Sequence, residues 1–407
     1  MTRMDTSSSL RELVSPPVVH PVAVRLRATV ASLVRRPYPQ AIAVYLAVRL
    51  VSVVVLAIMA TNNHQKLLDR LTAWDGQWYL KLAEFGYHGV SVSSYALDAA
   101  GHPYADAPMA FFPLYPGFIS LLAGLPGINT VRAALLASLL AGIAAACALL
   151  RIGRFLDPTR RRTGLILVAL WAGAPMAITL NMAYTEALFT AFAAWALVGV
   201  LERRWWLAGI CSMFAGLTRS TAGVLIVIVV VAALAAAWRG RDRWPALACA
   251  VMAPLGLIGY WASVAARTGS LTGWQDIEWR GWNTRFDFGH ESVEWVTQIL
   301  LGKGSVMETT TVMIVLGAIM LAALGARRMP WPLAAYGIGV VVLIVGTCGL
   351  PFAKARFLLA GMIVLLIPIA LGLANRKPKT AIATVTALVL AGSWFSAHSL
   401  TGWQYAI

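Results

Sequence analysis

Charge is scarce in this chain. Only 12% of its 407 residues are Asp, Glu, Lys or Arg, while 59% are hydrophobic. Ordinary soluble domains carry about 25% charged residues, so that class is excluded. Acidic residues are the rarer sign, 17 against 33 Lys and Arg, for a formal net charge of +16. In a soluble chain such a surplus would point to nucleic acid. In a membrane chain it is read from the loops that hold it, because Lys and Arg stay on the cytoplasmic side. Nucleic acid is therefore not an expected partner, whereas membrane lipids are. Cysteine is scarce too. Cys147, Cys211, Cys249 and Cys348 all lie in apolar runs with no close pair, which argues against a disulfide frame or a cysteine metal site. His64, His88, His102 and His290 show no metal-cage spacing, so no metal ligand is assigned. The Arg-rich start lacks a short apolar core followed by a small-residue cleavage site, and no cleaved signal peptide is expected. No convincing internal repeat is found.

What fills the chain is a series of apolar runs near the ~20 residues needed to cross a bilayer. Residues 1–40 read as a cytoplasmic tail holding six Arg, and 41–407 as a single polytopic domain. The expected crossings are 41–60, 133–150, 165–180, 183–201, 206–217, 221–237, 246–266, 309–324, 333–350, 357–373 and 381–394. The segment 112–125 is short and flanked by Pro113, and reads as a short or re-entrant helix. Two long external loops follow, 61–110 and 267–308. With this alternation 21 of the 33 basic residues fall on the cytoplasmic side, with only Asp5, Glu12, Asp157, Glu202 and Asp242 among the acids. The fold class is thus an all-α polytopic membrane protein of about 11–12 transmembrane helices with extracytoplasmic interfacial helices and loops.

The stretch Trp74-Asp75-Gly76-Gln77-Trp78-Tyr79 through Gly86-Tyr87 follows the first crossing. Leu80, Leu82, Ala83 and Tyr87 make a short amphipathic helix that Gly86 can end. Such a helix lies in the interface plane and holds Asp75 at headgroup level. The plainer reading is a Trp belt with a solvated Asp. Glu186 lies in a very apolar setting, where an ionisable residue is a functional candidate by default; the plainer reading is a helix-start Glu favoured by the dipole. Arg219, flanked by Thr218, Ser220 and Thr221 at a helix start, suits a phosphate, or snorkels to headgroups. Lys354 and Arg356 are basic residues on the external side, where phosphate binding or snorkelling would account for them. The 267–308 loop combines Trp274, Trp279, Trp282 and Trp295 with Asp276, Glu278, Arg280, Arg285, Asp287 and His290. That mixture fits sugar stacking and hydroxyl binding, or interfacial anchoring.

Trp74-Asp75, the Ala83-Glu84-x-Gly86-Tyr87 run, Phe111-Phe112-Pro113-x-x-Pro116, Ala183-Tyr184-Thr185-Glu186-Ala187-Leu188-Phe189 and Gly216-Leu217-Thr218-Arg219-Ser220 resemble, in order, the PIG-V family. These are multi-spanning GPI mannosyltransferases of the GT-C class with bacterial relatives, and the matches span roughly 74–223. The eukaryotic pattern often has His three residues after the Asp. This chain has Trp78 there, so no role of that His is carried over. The resemblance implies a GT-C-type bundle and a mannosyltransferase using polyprenyl-phosphate mannose, with a glycolipid or lipid-linked acceptor. An external active site fits a lipid-linked donor independently, because cytoplasmic sugar nucleotides do not reach it.

An inverting transfer needs a base for the acceptor proton, a clamp on the sugar and a cation for the leaving phosphate. Asp75 is the expected base, made more basic by partial desolvation between Trp74 and Trp78. Glu186 is expected to orient it or the acceptor hydroxyl. Arg219, Lys354 and Arg356 are the expected donor-phosphate ligands. Trp74, Trp78, Tyr87, Tyr115, Tyr184, Trp279 and His290 are the expected substrate contacts. No cofactor is required, since side-chain cations can meet the leaving phosphate, although a divalent metal is not excluded. Two other readings stay open. One is a transferase for another lipid-linked sugar such as arabinose. The other is a lipid-linked-sugar transporter or flippase, to which Arg49, inside the first crossing, would be suited. The Ala- and Arg-rich composition fits a high-GC bacterium, and the expected location is its plasma membrane with the site facing outward.

Overall fold

The computed structural model describes residues 37–89 and 105–403. Most of the 1–40 tail and His102 lie outside the described residues. Within them the regular structure is helical, and the one extended pairing is an isolated antiparallel bridge between Phe286 and Thr347.

Each of the eleven expected crossings coincides with a helix or a closely spaced helix pair. Among the described residues five helical stretches are long and apolar enough to span a membrane: Pro37–Asn62, Thr130–Leu156, Arg243–Thr268, Val306–Ala326 and Pro378–Thr401. A sixth candidate is the pair Pro351–Phe357 and Leu359–Ala374, bent by 49°. The others are apolar but short, at 10–17 residues. The chain is an integral membrane protein, and its surface is built accordingly. On the first helix Leu46, Leu50, Val54 and Ile58 are exposed at four-residue spacing, while Arg49 and Ser52 face inward. This is the reverse of a soluble amphipathic helix and is the arrangement lipid requires.

The expected 165–180 crossing is corrected by the structure. Its helix, Arg162–Ala172, stops before Gly173-Ala174-Pro175, and a 3₁₀ turn, Ala177–Asn181, follows. Proline cannot continue a helix without losing a hydrogen bond and meeting the preceding carbonyls. Irregular backbone at membrane depth survives only when protein covers it. Here Met176, Ala177, Ile178, Thr179 and Leu180 are all buried. Arg49 reaches across from the first helix and donates to the carbonyl of Ala172, at 2.5 Å, and to the Asn181 side chain. A cation at the carbonyl end of a helix also complements its dipole. Arg49 is thereby tied to the scaffold.

The Leu114–Ala123 helix has ten residues. At 1.5 Å per residue that is ~15 Å, half the hydrocarbon thickness. The first of the two long loops carries Leu67–Leu71 and Asp75–Gly89. The second carries Gly273–Trp282 and His290–Gln298. In the Asp75–Gly89 helix the backbone breaks at Gly86, where φ is 63°, as the position of this glycine led us to expect.

Candidate functional site

Four charged side chains meet where four helices begin or break. Trp74 takes a left-handed conformation, φ 56°, and the helix that follows begins at Asp75. Thr185 precedes the helix that begins at Glu186. Arg219 lies in the tight turn between Trp205–Gly216 and Ala222–Trp238. Arg356 lies in the one-turn helix Lys354–Phe357, delivered by positive φ at Gly349 and Leu350. A β-carbon at Gly349 would collide with the carbonyl oxygen of Asn283, so this turn needs glycine for space as well as for φ.

The four form a chain of ion pairs. Arg356 Nη1 is 2.8 Å from Asp75 Oδ2, and its Nε is 3.7 Å from Glu186 Oε1. Arg219 Nη1 is 2.8 Å from the same Glu186 oxygen and donates to Thr185 Oγ1 at 3.0 Å. The Arg356 guanidinium also sits 5.4 Å from the Tyr184 ring centroid and 4.6 Å from that of Phe357. The Glu186 and Arg356 side chains are each only 5% exposed, against 24% for Asp75. Arg219 is 16% exposed, so the Asp75 carboxylate is the most exposed member of this group. Lys354 is buried nearby and donates to the carbonyls of Ile344 and Thr347 at 2.8 and 2.5 Å.

These groups border a cavity of about 450 Å³. Asp75, Arg219, Lys354 and Arg356 line it, together with Arg285 and Glu278. Its aromatic wall includes Phe111, Phe112, Trp261, Trp274 and Trp282. Phe112 packs edge-on to Trp274, and Trp282 edge-on to Phe111, both with centroids 5.7 Å apart. The Ser/Thr turn around Arg219 faces the same space through Thr218, Ser220 and Thr221.

The structure separates other residues from this cavity. Trp74 is 39% exposed and Trp78 stacks on Phe111 at 5.4 Å, and neither lines the cavity. Asp75 is paired with Arg356 and shares the cavity lining with Tyr79. Tyr115 donates to Ala134 O and pairs with Ser138 Oγ, deep in the bundle. Tyr87 donates to Phe111 O at 2.6 Å and so holds the aromatic wall rather than the cavity surface. Trp279 carries Arg285 on its ring at 4.1 Å, and His290 is exposed; neither borders the cavity. Tyr184 is fully buried beneath Arg356.

Two features of the second loop stand out from the mixture in which the sequence placed them. Glu278 lines the cavity, and its carboxyl has no hydrogen-bond or ion-pair partner among the described residues. Burial pushes it up to about 8, the Asp75 charge adds to the effect, and Arg219 opposes it. Asp287, Glu291 and Cys348 bring possible ligand atoms within 4.8 Å of one another. Those atoms already have work. Asp287 accepts the amides of Gly289 and Glu291, each at 2.9 Å, and these bonds lead the influences that hold its carboxyl below the usual range. Glu291 accepts the Gly349 amide, and Cys348 donates to Asn283 O. The trio fastens the loop to the turn that delivers Lys354 and Arg356.

No family model and no curated protein matches this chain. Among solved structures it is similar to ArnT from Cupriavidus metallidurans bound to undecaprenyl phosphate. The TM-score is 0.52 at 14% identity, over 88% of this chain and 75% of that one. Weaker likenesses are to the archaeal oligosaccharyltransferase AglB from Archaeoglobus fulgidus in complex with an inhibitory peptide and a dolichol-phosphate (TM-score 0.47, 13% identity, 88% and 56% covered), and to an Archaeoglobus fulgidus oligosaccharyltransferase with zinc and sulfate (0.44, 14%, 88% and 53%). The first of these likenesses is one of fold: the chain is an all-α polytopic membrane bundle like that of ArnT.

Proposed function

We propose that this chain is a membrane glycosyltransferase that moves mannose from a polyprenyl-phosphate donor to a glycolipid or lipid-linked acceptor, with its site on the extracytoplasmic face of a bacterial plasma membrane. The observation that carries this reading is the lining of the cavity. Arg219, Arg285, Lys354 and Arg356 outnumber the carboxylates Asp75 and Glu278 there, next to an indole-rich wall. Surplus cation suits a phosphate, and flat aromatic faces suit a sugar ring. The GT-C-type fold supports lipid-phosphate chemistry, since ArnT was solved with undecaprenyl phosphate. Mannose rests on the PIG-V-like motifs that carry Asp75, Glu186 and Arg219.

In this reading the acceptor oxygen attacks the anomeric carbon and passes its proton to Asp75, while the bond to the phosphate oxygen breaks and polyprenyl phosphate leaves. In the free protein Asp75 is paired with Arg356. An arriving phosphate competes for that guanidinium, and its withdrawal leaves the carboxylate free to accept a proton. Glu186 keeps Arg219 and Arg356 in register from beneath. Lys354, Arg219 and Arg356 meet the charge that develops on the leaving oxygen, where preorganised donors matter most. Tyr184 supports Arg356 from below.

The test is product formation by purified protein in detergent with radiolabelled polyprenyl-phosphate mannose and membrane lipid acceptors. Asp75→Asn preserves shape and removes the base, and is expected to lower turnover by ~10²–10⁴ while donor binding persists. Near-normal turnover in that variant would remove Asp75 from the role.

A further inference from the structure

One helix face of the second long loop supplies two indoles of the cavity wall and a carboxyl to which the scheme above gives no chemical role. Trp274, Gln275, Glu278 and Trp282 recur at helical spacing on Gly273–Trp282 and all line the cavity. The helix is held in place from behind. Buried Ile277 anchors it, Trp274 Nε1 donates to Ala110 O at 3.4 Å, and the helix packs on the Ala107–Ala110 turn and on Leu255–Thr268. A carboxyl therefore projects between two indoles on a fixed wall, within the field of Asp75 and Arg219.

A charged carboxylate in that position would be expected to recruit a cation. Arg285 lines the same cavity, yet its guanidinium lies over the Trp279 ring instead. Arg219 is bound to Glu186 and Arg356 to Asp75. Leaving an ionised group unpaired beside Asp75 is costly, and a proton on Glu278 removes the cost. A protonated carboxyl both donates and accepts a hydrogen bond, which is what one hydroxyl, or two neighbouring hydroxyls, of a pyranose present.

We propose that Glu278 binds a hydroxyl group of the transferred sugar and selects sugars that carry it. Trp274 and Trp282 flank it on the same face and frame the ring edge-on to that contact. A site built around a buried hydroxyl partner rejects a sugar lacking the hydroxyl far more strongly than an apolar pocket rejects an added group. Glu278 thus acts in specificity, while the proton of the acceptor goes to Asp75. The inference rests on the cavity being the site of sugar transfer.

The other titratable and charged groups around this space bear on its pH response. They are Asp75 and Tyr79 from the Asp75–Gly89 helix, Arg219 from the turn before Ala222–Trp238, Tyr260 from Leu255–Thr268, and Arg285, Lys354 and Arg356. Glu278 has been pushed toward neutrality. The raised value means that the neutral form predominates below about 8 and is lost above it.

Three forms of the full-length protein in lipid nanodiscs test this: wild type, Glu278→Gln and Glu278→Ala. Gln keeps a donor and an acceptor without a titrating proton. With polyprenyl-phosphate mannose, wild-type turnover should decline above about pH 8. Glu278→Gln should retain activity within ~10-fold and lose that alkaline decline. Glu278→Ala should raise the donor KM by ~10-fold or more, in line with the ~1–3 kcal/mol left by an unpaired group. In parallel, the wild-type-minus-Gln infrared difference spectrum should show a protonated-carboxyl C=O band at pH 7 that fades as the pH rises. Absence of that band, or the same alkaline decline in wild type and Glu278→Gln, would overturn the proposal. So would a Glu278→Gln variant as inactive as Glu278→Ala. Wild-type protein that never uses this donor would instead refute the donor assignment. The infrared band reads Glu278 without reference to turnover, so the two failures are separable.

Discussion

Replacing Arg356 by Met should destabilise the fold through the charges it leaves behind. The guanidinium is 5% exposed, lies 2.8 Å from Asp75 Oδ2 and is 3.7 Å from Glu186 Oε1. Removing one member of a buried pair typically costs ~3–5 kcal/mol, because the remaining charge stays desolvated. Asp75 is 24% exposed and so partly rehydrates, while Glu186 keeps Arg219 at 2.8 Å. Both facts place the expected loss near the lower end, ~3 kcal/mol, or about two orders of magnitude in the unfolding equilibrium. Adding Asp75→Asn should recover about half of it, since the stranded charge disappears while the lost packing of Arg356 on Phe357 and Tyr184 does not. The assay is reversible unfolding in mixed detergent and SDS micelles, followed by Trp fluorescence, for both single variants and the double variant. Strict additivity, with the double variant losing the sum of the two single losses, would refute the coupling and with it the argument that Arg356 neutralises Asp75.

Other expectations follow from the same geometry. Arg219→Lys keeps the charge but loses the planar guanidinium that bridges Thr185 and Glu186; donor use should fall by ~10-fold, with Arg219→Ala lower still, measured as donor KM and kcat. Gly392→Ala should cost ~1–3 kcal/mol in the same unfolding assay, because the added carbon would run into the backbone of Gly173 and Ala174. For sidedness, a single cysteine placed at exposed Glu84 should react with an impermeant maleimide in intact cells, and one at exposed Arg241 should react only after lysis; the opposite pattern would invert the topology.

The residues that met in space were those whose placement in sequence is physically expensive. Glu186 and Arg219 sit in strongly apolar surroundings, and Lys354 and Arg356 are buried cations, so each required a partner that a sequence can announce without naming. What it could not name was the pairing. Asp75 with Arg356 joins segments 281 residues apart, and only packing decides which opposite charge lies nearest. Aromatic residues misled for a related reason. An indole or phenol gains the same by packing on another ring as by packing on a sugar, so Trp78 on Phe111 and Tyr115 on Tyr79 look identical in sequence to a binding wall. Glu278 was hidden among neighbouring carboxylates. Its signal was present in the Trp274-x-x-x-Glu278-x-x-x-Trp282 spacing, which places the acid between two indoles once the loop is recognised as helical. The break at Gly173-Ala174-Pro175 was also written in the chain, but the uniform apolarity around it invites a continuous span.

Arg49 has a consequence for the order in which the protein is made. It lies at the middle of the first membrane helix, where an Arg costs ~2.5–3.5 kcal/mol on insertion scales. Its partners at Ala172 and Asn181 lie 123 and 132 residues further along. At ~5–20 residues per second of synthesis, they emerge on the order of 10 s after it. During that interval the first helix is expected to remain near the insertion machinery or the bilayer surface, its guanidinium hydrated. It settles only when the broken helix arrives to bind it, so the earliest segment of the chain is among the last to be locked.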